Sequence, residues 1–211
     1  AFGTTSLISS NYADDVFVTK LDGSGNFLWA RRAGGSSYDY ANAIVVGVPG
    51  NVYVAGRFSG NALFGTNALS SSGDNDLFLT RLDSSGNFLW ARAAGGTYSD
   101  SATSLAADKS GVYAAGSFYR SATFGSTTLT NSNSTDDIFL TKVDGNGNFL
   151  WARRAGGNYS DSATAVTADA AGNVFAAGYF GGTATFGPYT LSSSGGQDIF
   201  VVKLVPGPAT P

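Results

Sequence analysis

Asp39, Asp100 and Asp161 stand 61 residues apart, each following a Gly-Gly pair and close to a tyrosine: Tyr38, Tyr98 and Tyr159. Carboxylates and phenols at the mouth of a loop cluster can hydrogen-bond and stack on a polar ligand such as a sugar. A unique site rarely needs three equal copies. Repetition therefore favours an Asp that bonds loop amides in every repeat, with multivalent glycan binding as the alternative. A second set is Asp22 and Asn26, Asp83 and Asn87, Asp144 and Asn148, each spaced as Asp-x-x-Gly-Asn. Oxygen side chains at such spacing occur in Ca²⁺ loops, but the ligand count is short and no Glu completes it. A hairpin turn, with Asp bonding its own backbone and Gly supplying positive φ, is the preferred reading.

Catalysis has little to stand on. His, Cys and Glu are absent, which removes the usual general base, the thiol nucleophile and most metal centres. Asp14-Asp15 and Asp136-Asp137 are neighbours at strand starts, so their side chains point to opposite faces. The expectation is a non-enzyme with no cofactor, Ca²⁺ being the weak exception. Trp29, Trp90 and Trp151 could serve as sugar platforms, but their place inside strands favours a core between repeats. Arg31, Arg92 and Arg153 fall on the same strand face two residues later, placed to lie over the indoles or to pair with strand Asp residues. Asn133 and Asn158 open glycosylation sequons, which matter only in a secretory host that reads them.

The elements that carry these residues repeat. GNFLWARRAGG occurs at 25–35 and 147–157, and GNFLWARAAGG at 86–96; Asp15, Asp76, Asp137 and Asp198 keep the same step. A fixed period of this length marks one supersecondary unit stacked on copies of itself. One period reads as strands at 43–48, 52–58, 76–83 and 88–96, with a turn signal at Pro49-Gly50-Asn51 and a looser stretch over 62–75. Both strand faces are apolar, so each small sheet is expected to be covered on both sides. Four-stranded antiparallel sheets repeated radially make a β-propeller. Small residues such as Ala102 and Ala163 begin each unit, as a crowded inner strand requires.

Composition agrees. All 15 acidic residues are Asp, only Gln197 represents its type, and 29 Gly stand among abundant Ser, Thr and Asn. That is a poor helix-forming mixture and a good one for short strands and tight turns. A net charge of −3 with dispersed Lys and Arg argues against nucleic acid and anionic membrane surfaces. No apolar run reaches membrane-spanning length. Cys is absent, so no disulfide forms. Met is absent even at position 1, pointing to a processed chain or an excerpt of a longer one.

The combined phrase D-x-F-[LV]-[TV]-[KR], D-x-x-G-N, W-A-R-x-A-G-G and N-V-[YF]-x-A-G resembles the β-propeller repeats of bacterial secreted and cell-surface proteins, the SBBP type. The resemblance spans 1–204 and implies four-stranded blades, export and an extracellular or cell-surface setting. It implies no catalytic motif.

The expected architecture is an all-β, propeller-type array over 1–204, about three 61-residue repeats plus a partial one, with a Pro-rich linker or tail at 205–211. Propellers usually need at least about four blades. The array is therefore part of a larger propeller, completed by a second copy, or open to strand-to-strand polymerisation. The expected function is a secreted scaffold for surface structure, adhesion or self-assembly. A propeller binding a glycan or a surface protein through the Tyr/Asp loops is the alternative.

Overall fold

The computed structural model describes residues 1–205, apart from Pro49 and Ser132. The expected tail from 206 onward, and the proline of the first turn, lie outside the described residues. Fifteen strands occur among the described residues and no helix: β1 (Val16–Leu21), β2 (Phe27–Gly35), β3 (Tyr40–Val46), β4 (Val52–Phe64), β5 (Asn67–Leu82), β6 (Phe88–Ala94), β7 (Asp100–Asp108), β8 (Gly111–Tyr119), β9 (Ser121–Phe124), β10 (Thr127–Thr130), β11 (Asp136–Asp144), β12 (Phe149–Gly157), β13 (Ser162–Ala168), β14 (Val174–Phe186) and β15 (Tyr189–Leu204). The protein is all-β, and every strand pairing is antiparallel.

Within each repeat, strands pair in chain order: β3 with β4, β4 with β5, β5 with β6. The next repeat follows suit, β7 with β8, β8 with β11, β11 with β12. The terminal groups are shorter, β1 with β2 at one end and β13, β14, β15 at the other. Cross-links fuse these groups. The far end of β4 pairs Ala62 and Leu63 with Gly35 and Gly34 of the preceding repeat, and β14 does the same to Gly157 and Gly156. The result is one six-stranded and one seven-stranded sheet, with β9–β10 as a separate hairpin.

The 62–75 stretch is more regular than its composition suggests. Leu63 pairs Ala68 and Phe64 pairs Asn67, so the Phe-Gly turn extends the two middle strands into a tongue. Gly65 supplies the positive φ of +64° that this tight turn requires. The first strand also differs from 43–48: it starts at Tyr40 and ends at Val46.

Apolar alternation sets the packing. In β5, Leu77 and Leu79 point to one face and Phe78 to the other, all at most 1% exposed. Three clusters fill the spaces between successive repeats, one joining Val16 and Val18 to Phe64 and Phe78, the next Leu77 and Leu79 to Phe118 and Phe139. The third sets Ile138 and Leu140 against Phe186 and Phe200. Each buried Phe contributes about 2 kcal/mol of apolar transfer. β3, β7 and β13 lie side by side, tied by Asn42 Nδ2 to the Ala102 carbonyl (2.9 Å) and Thr103 Oγ1 to the Ala163 carbonyl (2.6 Å). Fully buried Ala102 and Ala163 permit that approach. The inner sheets are covered on both faces, as expected. The terminal ones are not, because no neighbouring repeat lies against them among the described residues.

Candidate functional site

Asp39, Asp100 and Asp161 are at most 1% exposed. The amides of Gly35, Gly96 and Gly157 donate to their Oδ2 atoms at 2.8 Å. Their Oδ1 atoms accept from the amides of Ser59 (3.4 Å), Tyr119 (3.2 Å) and Gly181 (2.9 Å). Each Asp thus ties the end of one repeat to the second strand of the next. The nearby tyrosines lie outside, Tyr38 57%, Tyr98 38% and Tyr159 61% exposed. Tyr38 stacks parallel to Tyr40 at 6.3 Å, and Arg120 sits 5.2 Å over the Tyr98 ring. The structure therefore separates the paired candidates into buried carboxylates and surface rings.

Each of these Asp residues faces a second carboxylate. A Cβ added to Gly95 would lie 2.6 Å from Asp76 Oδ1 and 2.7 Å from Asp100 Oδ2. Asp15 and Asp39 converge on Gly34 in the same way, and Asp137 and Asp161 on Gly156. Only glycine leaves room there. The pairs form across 24 residues of chain, which neighbour spacing does not reveal.

Guanidinium groups compensate two of the three pairs. Arg32 Nε donates to Asp15 at 2.6 Å, and Arg154 Nε to Asp137. The equivalent position of the middle repeat is Ala93, which pairs with Phe78 as Arg32 pairs with Phe17. Asp76 there holds one bond from the Ser72 amide at 2.9 Å, while its Oδ1 is buried without a partner among the described residues. Burial, helped by the charges of Asp76 and Asp136, pushes the Asp100 carboxyl up to about 7. Burial also raises Asp137, to about 6, against the pull of Arg154. Burial raises the Asp76 carboxyl as well, and at 2% exposure or less both groups are shut off from solvent. The clue in the sequence was small: WARRAGG twice, WARAAGG once.

The Asp-x-x-Gly-Asn segments close hairpins. Asp83 Oδ1 accepts the amides of Ser85 and Asn87 at 2.9 Å, and Oδ2 accepts Asn87 Nδ2 at 2.8 Å. Asp22 with Asn26 and Asp144 with Asn148 repeat the pattern. So do Asp169 and Asn173, in a different turn of the last repeat. Hydrogen bonds from Asn26 hold Asp22 below the usual carboxylate range.

Two of the three tryptophans latch one repeat to the next, and Trp151 packs at 6.1 Å on Tyr113. Trp29 Nε1 donates to the Ser84 carbonyl at 3.1 Å, and Trp90 Nε1 to that of Gly145 at 3.0 Å. Arg31 and Arg92 each lie 5.7 Å over the indole of their own strand and donate through Nε to Gly86 and Gly147, at 3.0 Å. The strand Asp residues pair with the following arginines, Arg32 and Arg154, rather than with Arg31 or Arg153.

No family model matches the chain. Over 141 residues it is 33% identical to the regulatory protein FlaEY of Caulobacter vibrioides, a match covering 64% of this chain and 15% of that protein. The chain thus spans a small part of that relative's length. No helix among the described residues is long and apolar enough to cross a membrane.

Proposed function

We propose that the chain is a secreted, non-enzymatic repeat scaffold, a propeller-type array of four-stranded blades of the SBBP kind. Its open ends serve surface structure, adhesion or self-assembly at a bacterial surface or outside the cell. Chain-order pairing from β3 to β6, and from β7 through β8 and β11 to β12, supports the blades. The lack of His, Cys and Glu supports the absence of catalysis.

One observation carries the assembly reading: the two ends bare complementary faces of one repeated interface. Leu77, Leu79, Ile138 and Leu140 are at most 5% exposed, but their counterparts Ile199 and Val201 in β15 are 83% and 71% exposed. On the other side Phe78 and Phe139 are fully buried, while Phe17 of β1 is 56% exposed. Between repeats, the Leu77/Leu79 face meets Phe139. The Ile199/Val201 face of one copy therefore fits the Phe17 face of another, which gives head-to-tail association. Sedimentation over a concentration series tests this. A single monomer mass at high concentration refutes it.

A second reading, glycan or surface-protein binding, draws support from the exposed Tyr38, Tyr98 and Tyr159. A glycan array with a Tyr38, Tyr98 and Tyr159→Ala triple variant tests it; signal that survives in the variant rejects these rings as the platform.

A further inference from the structure

Arg120 holds a backbone conformation that its sister positions give to glycine. Two residues past the buried Phe58, Phe118 and Phe180, the chain takes a positive φ: +66° at Gly60, +62° at Arg120 and +58° at Gly182. The two glycines lie within unbroken strands, β4 and β14, whereas Arg120 falls in the break between β8 and β9. A residue with a Cβ is strained there. Strain of this kind persists only where the surroundings hold it, and it gathers at functional sites.

Two phenols and a hydroxyl hold this side chain. The Arg120 guanidinium carbon lies 5.2 Å from the centre of the Tyr98 ring and 6.0 Å from that of Tyr119. The two rings are tilted against each other at 5.2 Å. Nη1 donates to the Tyr98 hydroxyl at 3.3 Å and Nη2 to Ser134 Oγ at 2.6 Å. That engages two of the five N–H groups a guanidinium carries. Arg32 and Arg154 are each paired with an Asp, but exposed Arg120 has no carboxylate partner among the described residues. The sister loops offer no such cation. A Cβ on Gly182 would lie 2.4 Å from the Tyr159 ring, and one on Gly60 would meet only Ser37 Oγ, at 3.3 Å.

We infer that Tyr98, Tyr119 and Arg120 form an acidic-sugar subsite, in which Arg120 takes the carboxylate of a uronic acid residue and Tyr98 packs on its ring. It rests on the reading of the exposed tyrosines as glycan platforms and names the class of glycan. A guanidinium fork grips a carboxylate through two parallel hydrogen bonds. A part-exposed phenol offers an apolar body with a polar tip. A hexuronate carries the complements of both on one ring, and a neutral hexose lacks the charged one.

The test is calorimetric titration of the full chain with tri-galacturonate and with neutral galactotriose at matched ionic strength. The acid is expected to bind about tenfold more tightly. Arg120→Gly gives this position the residue found at Gly60 and Gly182, and is expected to erase that preference without lowering the melting temperature. A preference that survives in Arg120→Gly overturns the subsite. So does a variant that melts lower, because Arg120 then serves the fold. Equal affinity of the unaltered chain for the two sugars rejects the subsite and keeps the glycan reading. Binding of neither sugar also rejects the subsite, and the glycan reading then stands or falls on the array with the tyrosine variant.

Discussion

Asp76 and Asp100 face one another beside Gly95, and no guanidinium pairs with them among the described residues. Their counterparts have Arg32 and Arg154; the middle repeat has Ala93. Two buried carboxylates without a counter-charge favour the state that holds a proton.

The folded protein therefore stabilises a protonated Asp100, whose carboxyl is raised to about 7. A group raised on folding contributes stability in full below its unfolded pKa, and loses it as pH climbs through the folded value. The melting temperature is expected to fall between about pH 4 and pH 7 and then level off. Ala93→Arg supplies the absent cation and should make that fall smaller, though Asp137 stays raised even beside Arg154. Thermal melts of both proteins across this range decide it: identical pH profiles contradict the account.

The indole latch is a second target. Trp90 donates to the Gly145 carbonyl of the next repeat while its ring packs on Tyr53. Trp90→Phe keeps most of the ring and deletes the donor. A loss of about 1 kcal/mol is expected from urea unfolding.

Ile199→Lys with Val201→Lys addresses the bare face. Both side chains are largely exposed, so folding stability should change by less than about 0.5 kcal/mol. Association measured by sedimentation should drop sharply. The same change at Leu79, buried at 1% exposure, should unfold the chain, which circular dichroism would report.

Asp83→Ala examines the turns. The carboxylate already accepts three donors from Ser85 and Asn87. Its removal is expected to cost about 1 kcal/mol. Adding Ca²⁺ or a chelator should leave the melting temperature of the unaltered chain where it was; a rise with Ca²⁺ would restore the metal reading.

Much of the fold could be read from residue types alone. VFVTKL at 16–21 is β1 to the residue, because alternation of β-branched and apolar side chains suits a pleated strand. The Asp-x-x-Gly-Asn turns and the structural use of Asp39, Asp100 and Asp161 were legible for a related reason: these groups bond backbone close by in the chain. The tongue at 62–75 was not, since its serines and glycines carry no alternation and its pairing depends on Gly35 of the previous repeat. Nor were the carboxylate pairs, which meet only when one repeat closes on the next.

The sequence by itself determined the period, the strands and the turns, since each follows from local backbone preference and side-chain alternation. Tertiary structure alone decided which carboxylates face each other and which side chains each repeat buries against the next. Those properties depend on contacts across tens of residues, and the repeats supply the same side chains to every interface. Whether a given side chain is buried is set by the presence of a neighbouring repeat, which no single repeat encodes.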